Sequence, residues 1–111
     1  MIILNNKYVL HIPTFKHINI EDKSIISPDY INILKEELSK NGYASLYVTK
    51  AQGHYKKRTF DEILITIYAP LKTSTPQPGD IFKKWFKEYN HLFKQESFAY
   101  ELNDKLYIEK L

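Results

Sequence analysis

The segment 60–69 constrains the fold of this chain more than any other. Isoleucines occupy the alternate positions 63, 65 and 67 in it, and the residues between and after them are largely apolar. This alternation predicts a β-strand with one row of side chains on each side of a sheet. Because both rows are apolar, both faces of that sheet need a cover. The rows are Ile63, Ile65 and Ile67 on one side and Leu64, Thr66 and Tyr68 on the other.

Two helices are predicted from apolar spacing and from the residues at their ends. Ser27 followed by Pro28 is typical of an N-cap and first turn, and Asn41-Gly42 is typical of a C-terminal end. The second helix runs from about residue 79 to 93. Its aromatic stripe is interpreted as core packing. The stripe comprises Ile81, Phe82, Trp85, Phe86, Tyr89 and Phe93.

Alternation predicts further strands at 7–13 and 44–51. A tight hairpin is predicted around Asn103-Asp104, because both residues tolerate positive φ. We interpret the weakly patterned segment 14–26 as a long connection. The segment 70–78 contains three prolines and is interpreted as a loop.

The order of these elements predicts the fold class. It is α+β, a ferredoxin-like β-α-β-β-α-β two-layer sandwich with an antiparallel sheet and an extra C-terminal hairpin strand. In that layout two helices cover one face of the sheet and leave the other open. The 111 residues fit a single domain spanning 1–111.

Composition excludes several classes of function. The chain has no cysteine, which excludes disulfides, zinc-thiolate sites and thiol nucleophiles. The apolar run 1–4 is too short for a signal peptide or a membrane span. We therefore expect a cytoplasmic protein with no membrane partner. The formal net charge of +3 is modest and does not identify a partner.

The second face of the predicted sheet is too apolar to remain in water. It would carry Tyr47, Leu64 and Tyr68, together with Tyr8 or Tyr107. A second copy of the chain is the simplest cover, so we expect a homo-oligomer, either a dimer or a trimer. The alternative is that loops or terminal segments of the same chain cover this face.

The densest group of functional side chains lies in the hairpin 50–62. Cations on this hairpin could bind a small anion, because Arg58 offers a planar fork and the lysines offer point charges. The alternative is a solvated hairpin whose charges keep a sheet edge soluble. The candidate ligand-binding residues are His54, Tyr55, Lys57, Arg58 and Glu62.

His54 could also act as a general base if Asp61 or Glu62 orients its ring. No nucleophile or metal motif accompanies this pair, so a non-enzymatic function is favoured. The four histidines lack paired ligand spacing, and we expect neither a metal nor another cofactor. They are His11, His17, His54 and His91.

The sequences SLYVTK at 45–50, HYKK at 54–57 and DEILITI at 61–67 resemble the second-to-third-strand region of PII/CutA-like ferredoxin-fold proteins. The resemblance covers about a quarter of the chain. It implies a trimer with small-molecule or metal sensing at the subunit clefts. The positions it implicates are His54, Lys57, Arg58 and Glu62.

The proline-rich segment 70–78 and the second C-terminal strand depart from that family. A dimeric α-β barrel built from the same topology fits the sequence equally well. Three functional classes therefore stay open. The first is a homo-oligomeric binding or regulatory module, the second is a nucleic-acid binder that uses the aromatic sheet face and the basic run 56–58, and the third is a small enzyme that uses His54.

Overall fold

The chain forms two helices and seven strands in a computed structural model that describes residues 3–13, 15–17, 23–25, 28–55, 58–70, 76–93 and 95–111. In chain order the elements are β1 (Asn6–Pro13), β2 (Phe15–His17), β3 (Lys23–Ile25), α1 (Pro28–Lys40), β4 (Leu46–Tyr55), β5 (Arg58–Ala69), α2 (Pro78–Phe93), β6 (Ser97–Leu102) and β7 (Lys105–Lys110).

Five of the strands form one sheet in the order β4-β5-β1-β6-β7, and every neighbouring pair is antiparallel. The predicted α+β class is confirmed. The predicted C-terminal hairpin is also confirmed: β6 pairs with β7 through Asn103 and Asp104, which adopt φ values of 50° and 69°. Positive φ at both positions is what a two-residue hairpin turn of the primed type requires.

One expectation about a loop is wrong. The segment 14–26 contains a small antiparallel pair of strands, β2 and β3. Three-residue strands are too short for an alternation pattern to reveal. The hairpin predicted at 50–62 is present, but its strands are longer than predicted, because β4 and β5 pair out to Tyr55 and Arg58. Glycine and charged residues obscured the alternation there, but backbone pairing does not depend on it.

The core lies between one face of the sheet and both helices. Strand residues Leu10, Ile65 and Ile67 are fully buried beneath Leu34 of α1 and Phe82 of α2. The aromatic stripe of α2 packs into this core, as predicted. Its buried members are Ile81, Phe82, Trp85, Phe86 and Phe93, with Tyr89 partly buried.

The end of α1 shows why the sequence Asn41-Gly42 stops the helix. Gly42 has φ +90°, and its N–H donates to the carbonyl of Ser39 at 3.0 Å. The N–H of Tyr43 donates to the carbonyl of Leu38, also at 3.0 Å. This pair of bonds is the Schellman motif, in which a left-handed residue satisfies the last free carbonyls. The chain turns here, and the next residue, Tyr43, is buried in the core.

Replacing Gly42 with alanine is expected to lower the free energy of unfolding by about 1 kcal/mol. A Cβ at this position would meet nothing within 4 Å, so the cost is purely conformational. Urea unfolding measures the loss. Gly42→Asn is the matched control and should lose less, because asparagine tolerates the left-handed region. Equal losses for both variants would contradict this explanation.

Neither α1 nor α2, the helices within the described residues, has the length and apolar character that crossing a membrane requires.

Candidate functional site

The side chains of the sheet that point away from both helices form what we call the open face. Leu10 and Ile12 of β1 point into the core, so Val9 and His11 between them point the other way. The pairing registers extend this assignment to the neighbouring strands. Apolar residues on the open face are Val9, Tyr47, Leu64, Tyr68, Ala99, Leu106 and Ile108.

The expected oligomer-face residues Tyr47, Leu64 and Tyr68 all lie on the open face. Tyr47 is 62% exposed and Tyr68 is 38% exposed, and their ring centroids stand 6.4 Å apart with the planes nearly perpendicular. The three strands β4, β5 and β1 therefore present an apolar surface that contains an aromatic pair. No described element of the chain covers Tyr47.

Placing Tyr8 or Tyr107 on this face was wrong. Tyr8 has the same strand parity as Leu10 and is buried in the core. Tyr107 stacks on Tyr100 at 5.4 Å on the helix side of the sheet. Burial, with a contribution from neighbouring Tyr100, raises the pKa of Tyr8. Burial also raises the pKa of Tyr100, with Glu109 adding to the effect.

A row of three polar side chains, which we call the charged row, crosses the middle of the open face. His11 lies on the central strand, and its Nδ1 is 2.9 Å from a carboxylate oxygen of Glu62. Its Nε2 is 2.8 Å from a carboxylate oxygen of Glu101. Because β5 and β6 flank β1 on opposite sides, the imidazole is held from both sides. Exposure of the three side chains is 24%, 23% and 36%, respectively.

Acidic groups outnumber the basic group in the charged row. The carboxyl groups of Glu62 and Glu101 flank the single imidazole of His11. An imidazole carries at most one positive charge. With both carboxylates ionised, the row therefore has a net negative charge.

The charged row is not arranged as a metal centre. Both imidazole nitrogens of His11 already face carboxylates, so neither lone pair is directed toward a shared cation. Across the described residues, no group of three or more histidine or acidic side chains is placed to hold a metal ion.

The structure separates the candidate hairpin residues. Glu62 joins the charged row, whereas His54 has the opposite parity on its strand and points to the helix side of the ribbon. Asp61 shares that side with His54, so of the two proposed carboxylate partners only Asp61 is on the correct face. Lys57 and the side chains of Tyr55 and Arg58 lie outside the described part of the structure, and their roles stay predictions.

His11 and Glu101 were not anticipated as site residues. They lie 90 positions apart in the sequence and meet only because β6 returns beside β1. A signal did exist, because each residue is a polar side chain with an apolar residue on either side of it in its strand. The pair can be predicted only when β6 is known to lie beside β1, and periodicity does not give the order of the strands.

Replacing His11 with alanine is expected to lower the free energy of unfolding by about 2 kcal/mol at neutral pH, because two charge-assisted hydrogen bonds are lost. Urea unfolding measures this loss. Adding Glu62→Gln and Glu101→Gln should recover part of it, since the two like charges are then removed. His91→Ala on the exposed side of α2 is the control and should change stability little. A loss for His11→Ala as small as that of the control would contradict the charged row.

An open groove lies on the other side of the sheet, between α1 and the start of β4, with a volume of about 650 Å³. Its lining is mostly polar and charged. The lining residues are Asn32, Lys35, Glu36, Ser39, Lys40, Ala44 and Leu46.

Comparisons with known proteins identify the fold but not a family. No protein-family model matches the chain, and no curated protein matches it. A solved structure of a phage SAM lyase in its apo state superposes with a TM-score of 0.63 at 18% identity, covering 100% of this chain and 95% of the other. A phage SAM lyase in complex with S-methyl-5′-thioadenosine gives a TM-score of 0.57 at 16% identity, covering 96% and 89%. The chain shares this fold over its whole length.

Proposed function

We propose that this chain is a small-molecule-binding module whose ligand is a sulfonium nucleoside of the S-adenosylmethionine type, bound on the open face at the charged row. The observation that carries the proposal is the net negative row formed by His11, Glu62 and Glu101, in a fold that matches phage SAM lyase along its whole length. It refines the expectation of a binding module drawn from the sequence.

The topology supports a ferredoxin-like assignment. Four of the strands follow the order β4-β5-β1-β6 with antiparallel neighbours, and both helices pack on one face. This is the arrangement that a split β-α-β fold produces, with β7 as an added edge strand. It leaves the open face as the surface on which a ligand or another copy can bind.

The chemistry of the open face suits a cation with an aromatic portion. A sulfonium carries a full positive charge. Its attraction to a half-buried row with net negative charge is stronger than its attraction to the same charges in bulk water, because the protein screens charge less than water does. Tyr47 and Tyr68 provide exposed aromatic rings on the same face. Such rings bind cations over their faces and stack on nucleobases.

A second copy of the chain would complete the site. Small ligands bind in concave sites that cover most of their surface, and a single sheet face provides only one wall. The exposed apolar side chains around the row are suited to contact another copy of the same face. We therefore retain the homo-oligomer proposal, with the ligand held between copies.

Cleavage of the ligand is a second candidate, favoured by the lyase named in both matching structures. Elimination that yields S-methyl-5′-thioadenosine breaks a carbon–sulfur bond, and sulfur keeps the bonding electron pair and loses its positive charge. The departing carbon fragment gives a proton from its neighbouring carbon to a base, and a carbon–carbon double bond forms. A carboxylate beside the sulfonium stabilises the charged ground state more than that transition state. The charged row thus supports binding more directly than cleavage, for which a carboxylate of the row would instead have to act as a base.

The charged row argues against nucleic acid as the main ligand. Single-stranded nucleic acid needs a positively charged groove beside its aromatic platform. Here the aromatic pair Tyr47 and Tyr68 shares its face with two carboxylates and one imidazole. The anion site predicted for the 50–62 hairpin stays a prediction.

Isothermal titration with S-adenosylmethionine and with S-adenosylhomocysteine tests the proposal. The two ligands differ by one methyl group and one positive charge on sulfur. We expect the sulfonium to bind at least tenfold more tightly, which corresponds to about 1.4 kcal/mol. Equal affinity, or no binding of either ligand, would overturn the proposal. Chromatography of the same mixture for S-methyl-5′-thioadenosine decides whether binding is accompanied by cleavage.

A further inference from the structure

β7 is an edge strand with an exposed apolar sequence. It closes one side of the sheet and pairs only with β6 among the described strands. Leu106 is 58% exposed and Ile108 is 67% exposed. An exposed edge of this kind is a ready template for pairing with another strand.

The hairpin register determines which backbone groups are free. Leu102 and Lys105 flank the two-residue turn and form its hydrogen-bonded closing pair. Odd-numbered residues of β7 therefore bond to β6, and the N–H of Leu111 continues this pattern by donating to Glu96 at 3.0 Å. The N–H and C=O groups of Leu106 and Ile108 consequently point out of the sheet at the free edge.

We propose that β7 pairs with β7 of a second copy of this chain, antiparallel and with the two-fold axis at Tyr107. In this register Leu106 lies opposite Ile108 of the other copy, so that the residues with free backbone groups form hydrogen-bonded pairs. Lys105 then lies opposite Glu109 of the other copy, and by symmetry the same pair forms twice. The five residues KLYIE are thus complementary to themselves when reversed.

Other registers lose this complementarity. The free backbone groups belong to even-numbered residues, so the strand can slip only in steps that keep even residues opposite even residues. Moving the axis to Leu106 or Ile108 places Tyr107 opposite a charged residue. Placing the axis at Lys105 or Glu109 brings like charges together. Opposite charges directly across a strand pair are stabilising, and like charges are destabilising.

The surroundings of the edge fit this partner. The side chain of Glu109 is 39% exposed, and Lys83 of α2 approaches it to 3.7 Å, which leaves room for a second cation. Lys105 is exposed. On the open face, Leu106 and Ile108 from the two copies would form a four-residue apolar cluster. Leu106 is the cross-strand neighbour of Glu101 in the charged row, but the pairing of the two edges does not rest on the ligand proposal.

Light scattering of the full chain without ligand, over a range of concentrations and with a charge-swap series, tests the proposal. We expect a dimer whose dissociation constant rises at least tenfold in Lys105→Glu, because two attractive pairs become repulsive. The double variant Lys105→Glu with Glu109→Lys should restore dimerisation to within about threefold of the natural chain. Lys87→Glu on exposed α2 makes the same charge change away from the edge and should leave the dimer unaltered.

Three results would overturn the proposal: a monomer at every concentration, a dimer indifferent to Lys105→Glu, or a double variant that folds but does not recover. A dimer lost in Tyr47→Ser but kept in Lys105→Glu would place the contact on the open face instead and would also overturn it. If circular dichroism shows that the double variant is unfolded, the variant Ile108→Pro replaces it as the test. Proline removes an N–H that β6 does not use but that the second copy would bind. Loss of the dimer then supports the proposal, and an unchanged dimer rejects it.

Discussion

Glu62→Gln is expected to weaken binding of S-adenosylmethionine by about 10- to 100-fold, as loss of an interaction with a charged group does. Glutamine keeps the size of the side chain and removes the negative charge, leaving Glu101 as the one carboxylate beside His11. Binding of S-methyl-5′-thioadenosine, which has no charge on sulfur, should change less than threefold. Calorimetry with both ligands measures the difference.

The control for this prediction is Glu88→Gln, the same change on the exposed side of α2. It should leave both affinities unaltered. Equal weakening of the charged and the neutral ligand by Glu62→Gln would mean that this side chain supports the fold of the site rather than the charge of the ligand. No weakening at all would remove the charged row from the binding site.

Phe86→Ala is expected to lower the free energy of unfolding by about 3–5 kcal/mol, a large part of the stability of a domain of this size. Phe86 is 1% exposed, and its ring lies 4.7 Å from that of Phe93 and 5.8 Å from that of Phe98. Removing it leaves a cavity between α2 and the sheet, because rings on both sides hold the surrounding structure in place. Urea unfolding of the purified variant measures the loss.

Lys87→Ala is the matched control, because it lies next to Phe86 on the same helix and is exposed. Its effect should stay within about 0.5 kcal/mol. A similar loss in both variants would indicate that the burial of Phe86 does not determine the stability of α2, because alanine is the best helix former and neither change lowers helix propensity. A loss for Phe86→Ala below about 1 kcal/mol would contradict the packing of this aromatic cluster.

The elements of the core were predictable because each has a strong local signal. The alternation in 60–69 gives β5, and the aromatic stripe gives α2. Asn41-Gly42 and Asn103-Asp104 mark turns whose positive φ values the backbone adopts. In each case the residues that determine the structure are close together in the chain, so the sequence alone is enough to predict the element.

The charged row was not predictable in the same way. The alternation predicted that Glu62 points away from Ile63, but nothing local pairs it with His11, which lies 51 residues away. The hairpin cluster drew attention to His54, which occupies the other side of the ribbon. Tyr8 was misplaced for a related reason, since one face of a strand cannot be assigned to the core until its neighbours are known.

The resemblance to PII/CutA-like proteins stays a prediction, because the matching structures of phage SAM lyase do not test it. The expectation of a homo-oligomer is likewise open. The two interfaces proposed above share Leu106 and Ile108, but Tyr47 belongs to the open face alone and Lys105 to the edge of β7 alone. Tyr47→Ser and Lys105→Glu therefore separate them.

The most direct test of the ligand proposal is to add S-adenosylmethionine to isotope-labelled protein and record which backbone amide signals shift. We expect the shifts to be concentrated around His11, Glu62 and Glu101 on the three central strands. In Glu62→Gln the same ligand concentration should no longer cause these shifts. Shifts confined to the groove between α1 and β4, or no shifts at saturating ligand, would contradict it.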